Sequence, residues 1–276
     1  MTDVDLFQPL RAAGAIDLAT LDAQSSLQER LDSKFVLDRG DFEDALAELV
    51  GRRGYRVLEI DGQRAFTYRS VYYDTADRRS YRDHVQRRRQ RFKVRTRLYV
   101  ESGLRRFEVK VKGPRGRTIK RARKIDSAYA GVLPAAASAF VDETLMAQYR
   151  STVHEPLDEV LHVEYTRATL VSPDGSERVT CDWNLGFHNT NGHDAGLRRD
   201  KVLVETKSVT ERGVAWDVLK HHGARPVSCS KYAAGVALTE QGAKHNDLLP
   251  LLRSSFEAST PEEPAPASEQ DLIHAN

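Results

Sequence analysis

The chain has 276 residues, 40% hydrophobic and 30% charged, a composition typical of a soluble globular protein. No run of eighteen apolar residues occurs, so a membrane-spanning helix is not expected, and the start of the chain lacks the basic and apolar regions of a secretory signal. These features predict a cytoplasmic protein. Its two cysteines, Cys181 and Cys229, are expected to be reduced thiols, with a disulfide between them left open.

Charge is unevenly distributed along the chain. Residues 81–124 contain eighteen of the 42 Lys and Arg residues but only three of the 40 Asp and Glu residues. This segment is therefore near +15, and the remainder, with 24 basic and 37 acidic residues, is near −13. An imbalance this local indicates an anionic partner.

The elements before the basic segment begin with an arm. Residues 1–26 show no clear pattern and are predicted to be an N-terminal arm. Residues 28–37 are predicted to form a strand with Arg30, Asp32 and Lys34 on one face.

A helix is predicted next, from an N-cap at Asp41 to Gly51 or Gly54, packed on the outside of a sheet. Short strands are then predicted over residues 55–60 and 65–75. A helix-like stretch over residues 76–89 ends in Arg87, Arg88 and Arg89. Since consecutive helical residues point in different directions, these three arginines are expected at the rim of any site.

Two strands of the basic segment alternate ionic with apolar residues. Residues 92–100 and 107–113 each have period two, so one face of the pair is ionic and the other apolar. The ionic faces contain Lys93, Arg95, Arg97, Glu108, Lys110 and Lys112. A solvated face is the simplest explanation, but such a face normally mixes signs because like charges on neighbouring strands repel. We therefore favour a polyanion bound on this face.

A third basic strand follows a Gly/Pro turn and contains Lys120, Arg121, Arg123 and Lys124. The glycines of this turn do not form a nucleotide-binding P-loop, because no Gly-Lys-Ser/Thr sequence and no suitable helix follow. An amphipathic helix is predicted over residues 135–149.

The second half repeats the strand pattern over residues 161–171, 177–187 and 201–209. Its ionic faces contain Tyr165, Arg167, Arg178, Thr180, Asp182, Glu205 and Lys207. Residues 186–196 are predicted to be a polar loop, whose His188 and His193 are not spaced like metal ligands. A helix over residues 214–222 and the stretch SCSKYAAGVAL complete a domain over residues 27–253. The Pro/Glu/Ala-rich residues 254–276 are predicted to be a disordered tail.

About eight strands carry ionic faces that recur from the start of the chain to its end. They can share one surface only if the sheet curls, and a closed barrel also satisfies the strand edges. The fold class predicted is α+β, with an eight-stranded antiparallel closed β-barrel and helices packed outside. Unpaired cations inside are costly, so the interior is expected to hold water and phosphate.

Nine blocks of the sequence, in family order, resemble the VTC domain, the polyphosphate polymerase domain of the vacuolar transporter chaperone family. This domain belongs to the triphosphate tunnel metalloenzyme (CYTH-like) group. The blocks lie within residues 27–240: LDSKFVL, SVYYDT, FKVRTRLY, FEVKVKG, TIKRAR, VEYTRATL, RVTCDWNLGF, VLVETKS and CSKYAAG. The resemblance implies a tunnel barrel lined by Lys and Arg.

Site residues follow from matching positions. The resemblance implies that the transferred phosphate is contacted by Arg95, Arg97, Lys110 and Lys231. It implies further phosphate binding by Lys34, Lys120, Arg167 and Ser230, and the strand pattern adds Lys93, Lys112, Arg123, Arg178 and Lys207. Glu205 would hold Mn²⁺ or Mg²⁺, and Glu108 is a second metal candidate or orients Lys110.

The implied activity is transfer of the γ-phosphoryl group of ATP to a growing inorganic polyphosphate chain. Related hydrolases carry Glu-x-Glu-x-Lys on the first strand, whereas this chain has Arg30, Asp32 and Lys34, which favours the polymerase branch. Two alternatives stay open: a metal-dependent hydrolase of tripolyphosphate or nucleoside triphosphates, and a non-catalytic polyphosphate-binding module. A nucleic-acid partner is not expected, because few aromatic residues share the cationic face. Delivery of the product across a membrane would need a separate partner.

Overall fold

The computed structural model describes residues 6–24, 31–113, 117–210, 212–243 and 246–258. Its helices are α1 (Gln8–Ala12), α2 (Leu18–Gln24), α3 (Arg39–Gly51), α4 (Arg79–Val85), α5 (Ala135–Tyr149), α6 (Val214–His221), α7 (Lys231–Thr239) and α8 (Leu249–Ser255), with a 3-10 turn at Asn246–Leu248. Its strands are β1 (Ala15–Ile16), β2 (Leu31–Asp38), β3 (Arg56–Leu58), β4 (Phe66–Asp74), β5 (Phe92–Tyr99), β6 (Leu104–Lys112), β7 (Thr118–Ile125), β8 (Asp158–Val171), β9 (Glu177–Asn189), β10 (Asp194–Leu197), β11 (Lys201–Ser208) and β12 (Phe256–Ala258).

The strands of the described chain form one twelve-stranded sheet. Eight of them are antiparallel neighbours in the order β7-β6-β5-β4-β8-β9-β11-β2. The short strands β3, β10 and β12 extend this series, and β1 pairs with β3 in parallel. No hydrogen-bonded pair joins β2 to β7 within the described ranges. The predicted α+β class is confirmed, but closure of the barrel and a count of eight strands are not.

Side chains from distant strands meet on one face of the sheet, which shows that the sheet curls and that this face is concave. Lys34 of β2 lies close enough to Lys93 of β5 and to Lys112 of β6 to depress their pKa values. Glu205 of β11 acts on Lys110 of β6 in the opposite sense. The concave side, called the inner face below, therefore brings the two halves of the chain together.

Helices cover the outer face. The apolar residues of the strands lie on this face because strand side chains alternate between the two faces. Phe92 and Val94 of β5 share a buried cluster with Val141 and Leu145 of α5. Toward the opposite edge of the sheet, α3 packs with Phe35 of β2 in a second cluster on the outer face. The predicted α5 and the apolar faces of β5 and β6 are thus confirmed. The N-cap of α3 is Asp38 rather than Asp41, and α3 ends at Gly51.

Two local predictions were wrong. The predicted polar loop over residues 186–196 is mostly a hairpin, because β9 continues to Asn189 and β10 pairs with both β9 and β12. The predicted helix over residues 76–89 is only the seven-residue α4. It ends at Val85, and the chain reverses at Arg87, which has φ 55°.

The chain termini contribute to the fold. Phe7 and Leu10, within the predicted N-terminal arm, are buried in the same cluster as α3. Ser254 and Ser255, at the start of the predicted tail, end α8, and Phe256 lies in β12. Residues 1–5, 25–30, 114–116, 211, 244–245 and 259–276 lie outside the described residues, including Arg30 and most of the tail. The boundaries at residues 27 and 253 stay predictions.

Candidate anion-binding site

The first cluster on the inner face is centred on Arg95. Its Nε donates to Oε2 of Glu108 at 2.7 Å, and its guanidinium also donates to the Tyr72 hydroxyl at 3.1 Å. Burial alone would raise the pKa of Glu108, but Arg95 and Arg97 hold it well below the usual range. The β4–β5–β6 register places these groups on one face, since Arg95 is opposite both Tyr72 and Glu108.

The second cluster is centred on Arg97, two residues further along β5, which contacts residues of β4 and β8. It donates to the Tyr165 hydroxyl at 2.9 Å, and its Nε lies 3.4 Å from the Ser70 hydroxyl oxygen. The Tyr165 ring stacks on Tyr68, with centroids 5.3 Å apart and planes 9° apart. The Tyr68 ring of this pair therefore lies against the Arg97 guanidinium.

A third cluster joins β8, β9 and α7 around Asp182. Arg167 donates two hydrogen bonds to the Asp182 carboxylate, at 2.6 and 2.8 Å, and Lys231 donates a third. Although burial opposes ionisation, Arg167 and Lys231 lower the pKa of Asp182 to about 2. Lys231 also lies 4.5 Å above the Tyr165 ring. The start of α7 is thereby fixed inside the curled sheet.

The fourth cluster is on β11 and β2. Lys207 contacts Glu205 at 2.9 Å, and Lys34 is the register partner of Glu205. Burial alone would raise the pKa of Glu205, but Lys207 and Lys34 hold it well below its usual value, so this carboxylate is charged near neutral pH.

The remaining lysines are held among like charges. Lys93 donates to the Ser230 hydroxyl at 2.7 Å. Burial, Lys34 and Arg91 lower its pKa to about 7. The pKa of Lys110 also lies well below its ordinary value, lowered by Arg95, by burial and by Arg97. Concentrated positive charge therefore dominates this face, and it is poised to accept anions.

The structure brings most predicted site residues together on the inner face. These are Lys34, Lys93, Arg95, Arg97, Glu108, Lys110, Lys112, Lys120, Arg167, Glu205, Lys207, Ser230 and Lys231. Arg178 lies at the end of this face and donates to the Leu21 carbonyl of α2 at 3.4 Å. Arg123 lies on the outer face instead, with its guanidinium 5.0 Å from the Phe140 ring of α5 and 3.2 Å from the Ala136 carbonyl.

Sequence reasoning placed Tyr165 and Asp182 on an ionic strand face without giving either a role at the site, and it missed three further tyrosines. Tyr68, Tyr72, Tyr99 and Tyr165 all share the cationic face, so the expectation of few aromatics there was wrong. Alternation along β4 was the available signal. Three of the four are nearly inaccessible, with Tyr68 9%, Tyr72 6% and Tyr165 1% exposed, and guanidiniums cover them. They offer no open platform for stacking bases.

The carboxylates of this face partly fit a divalent cation. Within the described ranges, no three His, Cys, Asp or Glu side chains converge as metal ligands. Oε1 of buried Glu108, however, has no hydrogen-bond partner among the described residues, and Lys120 is 3.8 Å away. Glu205 keeps an ionised carboxylate. Hard cations prefer oxygen ligands, so either group could hold Mg²⁺ or Mn²⁺ if phosphate oxygens supplied the rest.

A cavity of about 620 Å³ lies mainly on the opposite face of the sheet, although Ser70 and Arg97 also line it. Side chains of the opposite sheet face line it, among them Val71, Leu98 and Glu164. The inner face, with its charge and its hydrogen-bonded network, is the candidate site.

The inner face of the curled sheet gathers cations from five or more strands, an arrangement suited to binding a polyanion. The chain belongs to the VTC domain family, whose sequence pattern it matches over residues 29–240. A comparison with curated proteins gives no match. Together, the family and the site support a function in polyphosphate or triphosphate chemistry.

Several solved structures are similar at low identity. HpAC1 from Hippeastrum, a candidate adenylyl cyclase described as having a dominant triphosphatase activity, is 14% identical, with a TM-score of 0.43 over 79% of this chain and 99% of that one. PH1819 from Pyrococcus horikoshii OT3 is 13% identical, with a TM-score of 0.40 over 74% and 95%. No helix in the described chain is long and apolar enough to cross a membrane.

Proposed function

We propose that this protein transfers the γ-phosphoryl group of ATP to the end of an inorganic polyphosphate chain bound on the inner face. The observation that carries the proposal is the excess of buried cations over carboxylates there, in a VTC domain. Phosphoryl transfer needs mainly positioning and charge stabilisation, and a face of fixed Lys and Arg side chains supplies both.

The roles follow from chemistry. Arg95 and Arg97 are held by Glu108 and Tyr165, so their guanidiniums are preorganised to bind phosphate oxygens. Lys110 and Lys231 supply point charges on the transferred group. Phosphate binding also involves Lys34, Lys93, Lys112, Lys120, Arg167, Lys207 and Ser230.

In the proposed step, a terminal oxygen of the acceptor phosphate attacks the γ-phosphorus. The bond from that phosphorus to the β–γ bridging oxygen breaks, and ADP leaves with the electron pair. No side chain acts as a nucleophile, and the ionised acceptor has no proton to lose. Glu205, or Glu108, would hold a divalent cation that neutralises phosphate charge.

Lys110 offers the cleanest test. Lys110→Ala should lower polymer formation from ATP and Mn²⁺ by about 10²–10³-fold, as for loss of one charge-stabilising group. It should not lower the melting temperature, because Arg95 and Arg97 repel Lys110 in the free protein. Arg95→Ala is less clean, since it removes the arginine partner of buried Glu108.

Gel separation of long polymer from free phosphate distinguishes the alternatives. Polymer from the wild type supports the proposal, and phosphate alone would indicate a hydrolase. Tight polyphosphate binding without turnover would indicate a binding module. Lys220→Ala, an exposed change on α6, is the matched control and should keep full activity.

A further inference from the structure

The segment after α4 exposes three consecutive arginines, the first of them in a left-handed backbone conformation. Arg87 has φ 55°, in the left-handed region that favours glycine. Its side chain is 74% exposed and that of Arg88 is 63% exposed. Arg89 is exposed too.

Hydrogen bonds fix this segment beside the end of β6. The Arg91 guanidinium donates to the Arg88 carbonyl at 2.7 Å. The amide of Lys112 donates to the Arg91 carbonyl at 3.2 Å, and the Tyr149 hydroxyl contacts the carbonyls of both Arg91 and Lys112 at 2.8 Å. The arginines therefore sit at the edge of the inner face, next to one of its lysines.

The field of the inner face extends to this segment. Arg91 contributes to the lowered pKa values of Lys93 and Lys112, after burial. His84, on α4, has a pKa lowered to about 3 by burial and then by Lys93 and Arg91. Arg91 is thus electrostatically coupled to the lysines of the inner face.

The existing partners of the arginines are weak competitors. Arg87 contacts Asp247 at 3.0 Å and Arg88 contacts Asp83 at 3.3 Å, both arginines being well exposed. Arg89 makes no ion pair within the described residues. Exposed ion pairs contribute little, so an incoming anion displaces them readily.

We propose that Arg87, Arg88, Arg89 and Arg91, the arginine segment, bind the part of a long inorganic polyphosphate chain that lies outside the inner face. The segment itself, QRRRQR, has no aromatic residue on which bases could stack, which favours polyphosphate over nucleic acid. The inference rests on the proposed polyphosphate ligand but not on turnover.

The test compares two ligands. The triple variant Arg87→Ala, Arg88→Ala, Arg89→Ala should bind long-chain polyphosphate roughly tenfold more weakly, since three exposed phosphate contacts are lost. Its slope of log affinity against log salt should fall by about two. Its affinity for tripolyphosphate should not change, because that short ligand fits on the inner face.

Two controls distinguish loss of this particular site from a general loss of positive charge and from a loss of stability. Arg52→Ala, Arg53→Ala, Arg199→Ala removes three exposed charges elsewhere and should keep both affinities. Arg87→Gly relieves the left-handed backbone, so it should melt no lower than wild type while still weakening long-chain binding.

Equal affinities of variant and wild type for long chains would overturn the inference, as would an equal loss for tripolyphosphate. A loss confined to single-stranded DNA or phosphatidylserine vesicles would also overturn it and assign the segment to that ligand. If the wild type binds neither phosphate ligand, the proposed function fails as well. If it binds both and only the variant comparison fails, the inference alone is wrong.

Discussion

Lys93 changes its charge near neutral pH. Its pKa of about 7 in the free protein means that it loses its proton as the pH rises through neutrality. A bound phosphate favours the charged form and raises this pKa. Binding above pH 7 therefore takes up a proton, and affinity is highest on the acidic side.

We expect the Kd for tripolyphosphate to rise between pH 7 and 9, by up to about tenfold per pH unit for each lysine that must be reprotonated. Calorimetry in buffers of different ionisation enthalpy would measure the proton uptake. Lys93→Met should weaken binding at pH 7 and flatten the pH dependence. Lys220→Met should leave the curve unchanged, and a wild-type affinity independent of pH would contradict this account.

At the residue scale, the sequence predicts the face on which a side chain lies only where its strand alternates ionic with apolar residues. Arg95, Arg97 and Lys110 were located correctly because β5 and β6 alternate cleanly. Arg123 was not, because β7 carries cations on both faces and the sequence does not show which of them α5 covers. Contact with Phe140 decides this, and it is a tertiary contact.

At the scale of elements, one buried carboxylate joins β9 to α6. Glu177 is 5% exposed and accepts from the Tyr55 hydroxyl at 2.9 Å and from the backbone amides of Val214 and Ala215. It therefore caps the start of α6 from a distant strand.

Glu177→Ala should lower the free energy of unfolding by about 2–4 kcal/mol, because it leaves three donors unpaired, two of them buried. Denaturant unfolding would measure the loss. Glu143→Ala, an exposed change on α5, should have little effect. A Glu177 variant as stable as the control would show that water replaces the carboxylate.

Elements were predictable where the pattern was local. The amphipathic pattern of residues 135–149 predicts the bounds of α5 correctly. The polar residues 186–196 predict a loop, whereas β9 and β10 form a hairpin there. The pairing of β10 with Phe256 and its neighbours comes from the far end of the chain, which no local pattern shows.

At the scale of the whole molecule, the free protein concentrates like charges in its interior. An anion that binds only the folded state stabilises it, by about 2.7 kcal/mol at 100 times Kd. For a domain of this size that is roughly 5–10 °C in melting temperature. Scanning calorimetry with tripolyphosphate should show this rise. Sodium chloride at equal ionic strength should give much less, and equal shifts from both would indicate screening alone.

The pairing of β2 with β11 also has a consequence for biosynthesis. Lys34 faces Glu205 in register, so the first long strand meets its partner only after 171 further residues have been made. At about 5–20 residues per second, the ribosome needs roughly 10–30 s for this. During that interval the cluster that buries Phe35 and Phe42 is incomplete, because it lacks Val202 and Val204 of β11. Assembly of the sheet must therefore be a late event, and the nascent chain is most prone to aggregate just before β11 emerges.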